Sequence, residues 1–163
     1  MGKMGKFSAA DLKKLQKKLN KIQDANVEAF VDECAKELAA RLLAKVIKRT
    51  PVGEYPKSSG KKGGTLRRGW TSASHEEAAS GGKSSAAKYA DSLKINHFGN
   101  TLVIEIVNPV EYASYVEYGH RTADHSGWVQ GRFMLTISEQ EIQDIAPKVL
   151  EQKIKKFLGE CMK

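Results

Sequence analysis

Leu12, Leu15, Leu19 and Ile22 trace one apolar stripe at helical spacing, and Val27, Phe30, Val31, Cys34, Leu38, Leu42 and Val46 continue the pattern. Between the two sets, Asp24-Ala-Asn26 is either a break or a polar turn of helix. The spacing predicts a short first helix and a longer second one that stops by Thr50, because Pro51 follows. Ser8-Ala-Ala-Asp11 resembles a capping box for the first of them. Near the other end, Phe133-Met-Leu-Thr-Ile137 opens a final helical pattern through Ile142, Ile145, Val149, Ile154 and Phe157. Pro147 interrupts it and predicts a kink or a break into two helices near Asp144–Pro147.

Between these helices the pattern changes. Glu54–Gly64 combines proline, glycine, serine and lysine and reads as a loop. Leu66-Arg-Arg-Gly-Trp-Thr71 reads as a strand, which would put Arg67 and Arg68 on opposite faces. Ser72–Lys88 is small and polar and reads as a mobile loop. Asp91–His97 alternates weakly, Phe98–Thr101 turns, and Leu102–Val107 returns as the second strand of a hairpin. Asn108-Pro109 stops that strand, since proline offers no N–H to a ladder. Tyr112, Tyr115, Val116 and Gly119 then fall on one face of a short helix, which Gly119 ends in a left-handed conformation. Arg121–Gly131 reads as loop. The expected architecture is α+β: a small antiparallel sheet packed against a long N-terminal helix and a C-terminal helix. We expect one domain over residues 1–163, with residues 1–7 and 159–163 as flexible ends and 53–64 and 72–88 as mobile loops.

Charge adds an asymmetry. The chain has a formal net charge of +8, yet residues 91–131 hold five acidic and two basic side chains, while residues 1–50 hold twelve basic and six acidic ones. Such polarity suits polyanion contact or head-to-tail association between unlike patches. No stretch approaches the roughly 18 continuous apolar residues of a membrane span, and Met1-Gly-Lys-Met-Gly-Lys6 carries no apolar secretory signal. Cys34 and Cys161, far apart in sequence, point to a reducing compartment.

The residue types that catalyse reactions do not assemble into a recognisable set. His120, Asp124 and His125 make an incomplete metal trio. Ser126 neighbours His125, but no nucleophile elbow surrounds it. Glu111 and Glu117 fall on different faces of the short helix, and Ser59–Thr65 lacks P-loop spacing. These absences argue against an enzyme and against a bound cofactor. Lys57, Lys61, Lys62, Arg67 and Arg68, beside Trp70, offer salt-sensitive phosphate contact, although no nucleic-acid-binding signature accompanies them.

Four motifs in order carry a resemblance: Thr50-Pro-Val52, Leu66-Arg-Arg-Gly-Trp70, Asn108-Pro-Val-Glu-Tyr-Ala-Ser-Tyr-Val-Glu-Tyr-Gly-His120 and Gly131-Arg-Phe-Met134. Together, from about Ala35 to Ala146, they resemble the gene-ten-like tail-component family of long-tailed bacteriophages. The Tyr-Ala-x-Tyr-Val-Glu-Tyr-Gly segment is the specific part. Gly53–Gly64, with Lys57, Lys61 and Lys62, is longer than the family's corresponding turn. The resemblance implies a non-enzymatic virion protein at the neck, or head–tail interface, assembled in the host cytoplasm. It would form a ring, six-fold in the virion, that joins or caps the tail. Its partners would be other copies of itself, the tail tube or tail terminator, the head connector and passing DNA bound non-specifically, with no membrane. Within that reading Trp70, Tyr112, Tyr115, Glu117, Tyr118 and Gly119 are candidate interface residues. Lys57, Lys61, Lys62, Arg67 and Arg68 are candidates for a lumen- or DNA-facing surface. The alternative is a basic nucleic-acid-associated protein without enzymatic activity.

Overall fold

The computed structural model describes residues 9–23, 26–82 and 84–162. Ser8 of the expected capping box and the expected flexible end at residues 1–7 lie outside the described residues. Helix α1 spans Ala9–Gln23 and α2 spans Val27–Arg49, matching the two predicted N-terminal helices. Asn26 accepts the Ala29 N–H at 2.9 Å on its side chain and so opens α2. At the far end Thr50 closes it, its hydroxyl donating to the Val46 carbonyl at 2.6 Å before Pro51 prevents continuation.

Two findings change the middle of the chain. Leu66–Gly69 is not a strand: α3 spans Thr65–Gly69. Five residues hold a helix poorly on their own, so its neighbours fix it. Trp70, almost fully buried, donates its indole N–H to the Thr50 hydroxyl at 2.8 Å. Arg67 grips the Thr50 carbonyl with Nε and Nη2 at 3.0 and 2.6 Å. Asn108 donates its side-chain amide to the Leu66 carbonyl at 2.9 Å. A Cβ on Gly69 would lie 2.2 Å from Asn108 Oδ1, so only glycine admits this approach. The second change lies in residues 72–88, expected as loop. They contain α4 (His75–Ser80) and the start of α5 (Ala86–Ser92). Serine caps open both, Ser74 accepting from the Glu77 N–H and Ser85 from the Lys88 N–H.

The predicted hairpin is present as β1 (Ile95–Phe98) paired antiparallel with β2 (Thr101–Ile104), Ile95 opposite Ile104 and Phe98 opposite Thr101. Helix α6 spans Ala113–Tyr118. Residues 121–131, expected as loop, instead complete a second hairpin. In it β3 (Gly119–Arg121) pairs antiparallel with β4 (Trp128–Gln130). Helix α7 then runs from Met134 to Cys161 as one helix rather than two. Pro147 lies on its exposed side, where the carbonyl that proline leaves unbonded is free to accept from solvent. The fold is α+β, with its strands in two small antiparallel sheets.

Contacts divide the chain into two compact units, Ala35–Ala146 and Met1–Cys34 with Pro147–Lys163. The first holds the hydrophobic core: Leu43 and Val46 of α2, Leu66, Trp70, Val110 and Met134, with Val116 of α6 packed against them. Across this unit Glu141 of α7 pairs with Lys45 and Arg49 of α2. Hydrogen bonding from Lys45 leads the effects that lower the Glu141 pKa. In the second unit the Phe30 and Phe157 rings stack with centroids 4.3 Å apart. Among the described residues no helix is long and apolar enough to cross a membrane.

Candidate interaction surface

The segment from Asn108 to Met134 performs two jobs with alternate residues. Helix α6 turns Ala113, Val116 and Glu117 inward and Tyr112, Tyr115 and Tyr118 outward. This reorders the face expected from the sequence, in which Tyr112, Tyr115 and Val116 lay together with Gly119. Three-residue steps carry the tyrosines along one exposed side, while the small and aliphatic residues meet the core.

Glu117 fixes the helix in place. It is only 5% exposed, and its carboxylate accepts the N–H groups of Leu135 and Thr136, both at 2.9 Å, and the Thr136 hydroxyl at 2.8 Å. Those are first-turn groups of α7, with no carbonyl of their own helix to bond. A negative charge there also meets the positive end of the helix dipole. Expected among the interface residues, Glu117 is a buried brace between α6 and α7.

The chain leaves α6 through a crossing that tolerates no side chain. Gly119 has φ 87° and ψ 173°, so it exits with positive φ but extended ψ rather than as the left-handed cap expected. A Cβ there would lie 2.4 Å from the Val129 carbonyl oxygen, and one on Gly131 would lie 2.4 Å from the Glu117 carbonyl oxygen. The returning chain is tied down by Arg132 N–H to the Val116 carbonyl at 2.8 Å and Phe133 N–H to the Glu117 carbonyl at 3.0 Å. Phe133 itself adopts a left-handed φ of 49°, a strained conformation for a bulky residue.

What emerges is an aromatic face. Tyr115, Tyr118 and Trp128 are 58, 62 and 60% exposed, with Tyr112 and Val129 also exposed. The His120 ring lies 5.7 Å from that of Tyr115, tilted by 58°. Partial burial pushes the Tyr112 phenol above its usual pKa, and nearby Tyr55 adds to the rise against the opposing pull of Arg68. Tyr55, itself exposed, belongs to the 53–64 insertion. Trp128 was not among the residues expected from sequence. Its signal was a tryptophan–valine pair after a turn-forming run, too short to register as a strand.

The hairpin tip is held by Asp124. Its carboxylate accepts from the Thr122 and Ser126 hydroxyls and from the Ser126 N–H, and the Gly127 N–H donates to the Thr122 hydroxyl at 2.9 Å. The Ser126 hydroxyl first, then that of Thr122, hold the Asp124 pKa down at about 2. This carboxylate orders a turn. Among the described residues no group of three or more His, Cys, Asp or Glu is placed to hold a metal.

The basic candidates separate. Lys57, Lys61 and Lys62 are exposed on the insertion, Lys57 opening a single 3-10 turn, Lys57–Ser59. Arg67 and Arg68 are half-buried, and their guanidiniums are occupied by protein acceptors. Arg68 bonds the Ala78 carbonyl at 2.7 Å and the Gly63 carbonyl at 3.3 Å. Trp70, named among the candidate interface residues, lies in the core.

The sequence matches one family model, described as "Bacteriophage HK97-gp10, putative tail-component", over residues 13–119, more than half of the chain. The match runs from α1 through the tyrosine helix to Gly119 and leaves Gly131-Arg-Phe-Met134 beyond its end. No curated protein and no solved structure matched the chain.

Proposed function

Because this chain belongs to the bacteriophage HK97-gp10 tail-component family, we propose that it is a ring-forming subunit of the head–tail junction, joining or capping the tail and leaving a lumen for DNA. As a tail component it is a virion protein that works among other phage structural proteins. The observation that carries the finer reading is the exposure of Tyr115 and Tyr118 on the helix that Glu117 braces to α7, with Trp128 exposed on β4. Exposed tyrosine and tryptophan on a fixed backbone supply large contact area at small entropic cost, as interface anchors do. A closed ring needs unlike patches that meet between neighbours. The acidic segment 91–131 and the lysine-bearing insertion provide such a pair. Six copies, the tail tube or terminator on one side and the head connector on the other, complete the proposal.

Electron microscopy of the purified protein, with and without tail tubes, tests it. Rings or tube-end caps are the expected result, and particles that neither form rings nor meet tubes contradict it. The competing reading, a basic nucleic-acid-associated protein, is favoured by the exposed Lys57, Lys61 and Lys62 alone, since Arg67 and Arg68 are engaged within the fold. It requires DNA binding with a steep salt dependence and no tube association.

A further inference from the structure

The last turns of α2 carry a row of cations that the aromatic face does not involve. Arg41, Lys45, Lys48 and Arg49 fall at i, i+4, i+7 and i+8, within about 100° of arc at 3.6 residues per turn. They lie away from the buried side of the helix, where Leu43 and Val46 are fully enclosed. Such a row is often only a solvated face, and cations in a last turn also offset the helix dipole. Two observations set this one apart.

The first is a cavity. Lys45, Lys48 and Arg49, together with Glu141 of α7, line an open cavity of about 420 Å³. All four residues belong to the compact unit Ala35–Ala146. The second is a charge imbalance within it. Glu141 is the single carboxylate in the lining, and its two oxygens are divided between Lys45 Nζ at 2.6 Å and Arg49 Nη2 at 2.5 Å. Lys48 is exposed and has no hydrogen-bond or ion-pair partner among the described residues. Three cations around one anion leave an excess of two positive charges. Arg49 Nε is engaged by Ser138 Oγ at 3.4 Å. The other N–H groups of Lys45 and Arg49, and all three of Lys48, remain available to a ligand. Glu141 also holds the Lys45 and Arg49 heads side by side, against the repulsion that like charges at i and i+4 suffer.

The spacing of the excess indicates the kind of anion. The row spans eight residue steps, about 12 Å of helix at 1.5 Å per residue, so its charge is spread along a line. Lysine and arginine supply all of the donors in the cavity, and no aromatic ring lines it to stack on a base. A chain of single negative charges, the phosphodiester backbone of a nucleic acid, fits such a line better than a small dianion does. The 91–131 segment of a second copy offers no comparable row. Its Glu117 is buried, and its Asp124 is bonded within its own turn.

We propose that the Lys45–Lys48–Arg49 surface, with Glu141 as its positioning residue, meets the phosphodiester backbone of double-stranded DNA in the lumen. This rests on the ring reading above and names the surface of each copy that faces the passing duplex. It moves that surface away from the insertion lysines and from Arg67 and Arg68, which bond acceptors inside the fold. The contact is sequence-independent, since phosphate contacts carry no base readout.

Binding of a short labelled DNA duplex to the full-length protein over a salt series tests the site. The unaltered protein should bind at low salt, about 50 mM, and release as salt rises. Lys48→Ala removes a side chain that has no partner, so thermal unfolding should be unchanged. Its affinity should fall about fivefold and its salt slope by about one, as for one lost phosphate contact. Lys48→Arg should restore both. Lys57→Ala, Lys61→Ala and Lys62→Ala combined should weaken binding less than Lys48→Ala alone. The site is overturned if the unaltered protein does not bind, or if Lys48→Ala binds as tightly as it does. Displacement of the duplex by inorganic phosphate, where chloride of equal ionic strength does not displace it, would mark a small-anion site and also overturn the proposal. Electron microscopy of the same proteins reads ring formation separately. If no DNA binds and Lys48→Ala prevents rings, the surface joins copies: the DNA contact fails and the ring survives. If DNA binds through Lys48 but no ring forms, the contact stands and the ring fails.

Discussion

Two sets of residues share the segment between Asn108 and Met134, and they behave in opposite ways. Asn108, Val110, Val116 and Glu117 face inward and tie α3, α6 and α7 into one core. Tyr112, Tyr115, Tyr118 and Trp128 face outward and are exposed. The inner set explains why the motifs occur together. Thr50 meets Arg67 and Trp70, Asn108 meets Leu66 and Gly69, and Glu117 meets Leu135 and Thr136. Each pair joins residues from two motifs, or from a motif and the helix it introduces. The outer set has no such internal duty. Family motifs in this chain therefore mix fold and surface, and position in the motif alone does not tell them apart.

Breaking the inner set should cost stability. Trp70→Ala removes the largest buried aromatic body from beneath α2, and a loss of about 3–5 kcal/mol is expected in denaturant unfolding. A loss below about 1 kcal/mol would mean that α3 does not depend on the indole. Glu117→Ala leaves three donors at the start of α7 without their acceptor and should cost about 2–3 kcal/mol. Glu117→Gln keeps the shape and one oxygen, so it should recover part of the loss. Equal losses for the two would assign the effect to charge alone.

The smallest expected effect is at the hairpin tip and depends on pH. The Asp124 carboxyl has a folded pKa of about 2, below its unfolded value. Its support for the turn is therefore complete above the ordinary carboxylate range and is lost as pH falls through about 2. Amide shifts of Ser126 and Gly127 should report that transition, and Asp124→Asn should abolish it. Titration at an ordinary carboxylate pKa, near 4, would show that the hydroxyls of Thr122 and Ser126 do not hold the charge.

Much of the scaffold was legible from pattern alone. The apolar stripes gave α1 and α2, Pro51 gave the end of α2, and weak alternation around Phe98–Thr101 gave the first hairpin. Besides the capped helices α4 and α5 and the unbroken α7, three features were not legible, for related reasons. Leu66-Arg-Arg-Gly-Trp70 is too short for its period to separate strand from helix, and distant acceptors at Thr50, Gly63 and Ala78 decide the outcome. Trp128–Gln130 becomes a strand because Gly119 and Gly131 let the chain pass tightly behind α6. The outward face of the tyrosines was hidden because tyrosine satisfies a core or a surface equally well. What tips the balance is Glu117, whose polar character suggested exposure and whose burial turns the helix. The arginines follow the same rule: positive charge pointed to a partner, and backbone carbonyls inside the fold receive it.

The central claim is that the outward aromatic face works on a neighbour and not on its own core. The most direct measurement compares Tyr118→Ala with the unaltered protein in two assays run together, thermal unfolding of the free chain and attachment to tail tubes seen by electron microscopy. The account predicts a stability change within about 0.5 kcal/mol and a loss of attachment of about tenfold or more. Matching losses in both assays, or full attachment without the side chain, would contradict it.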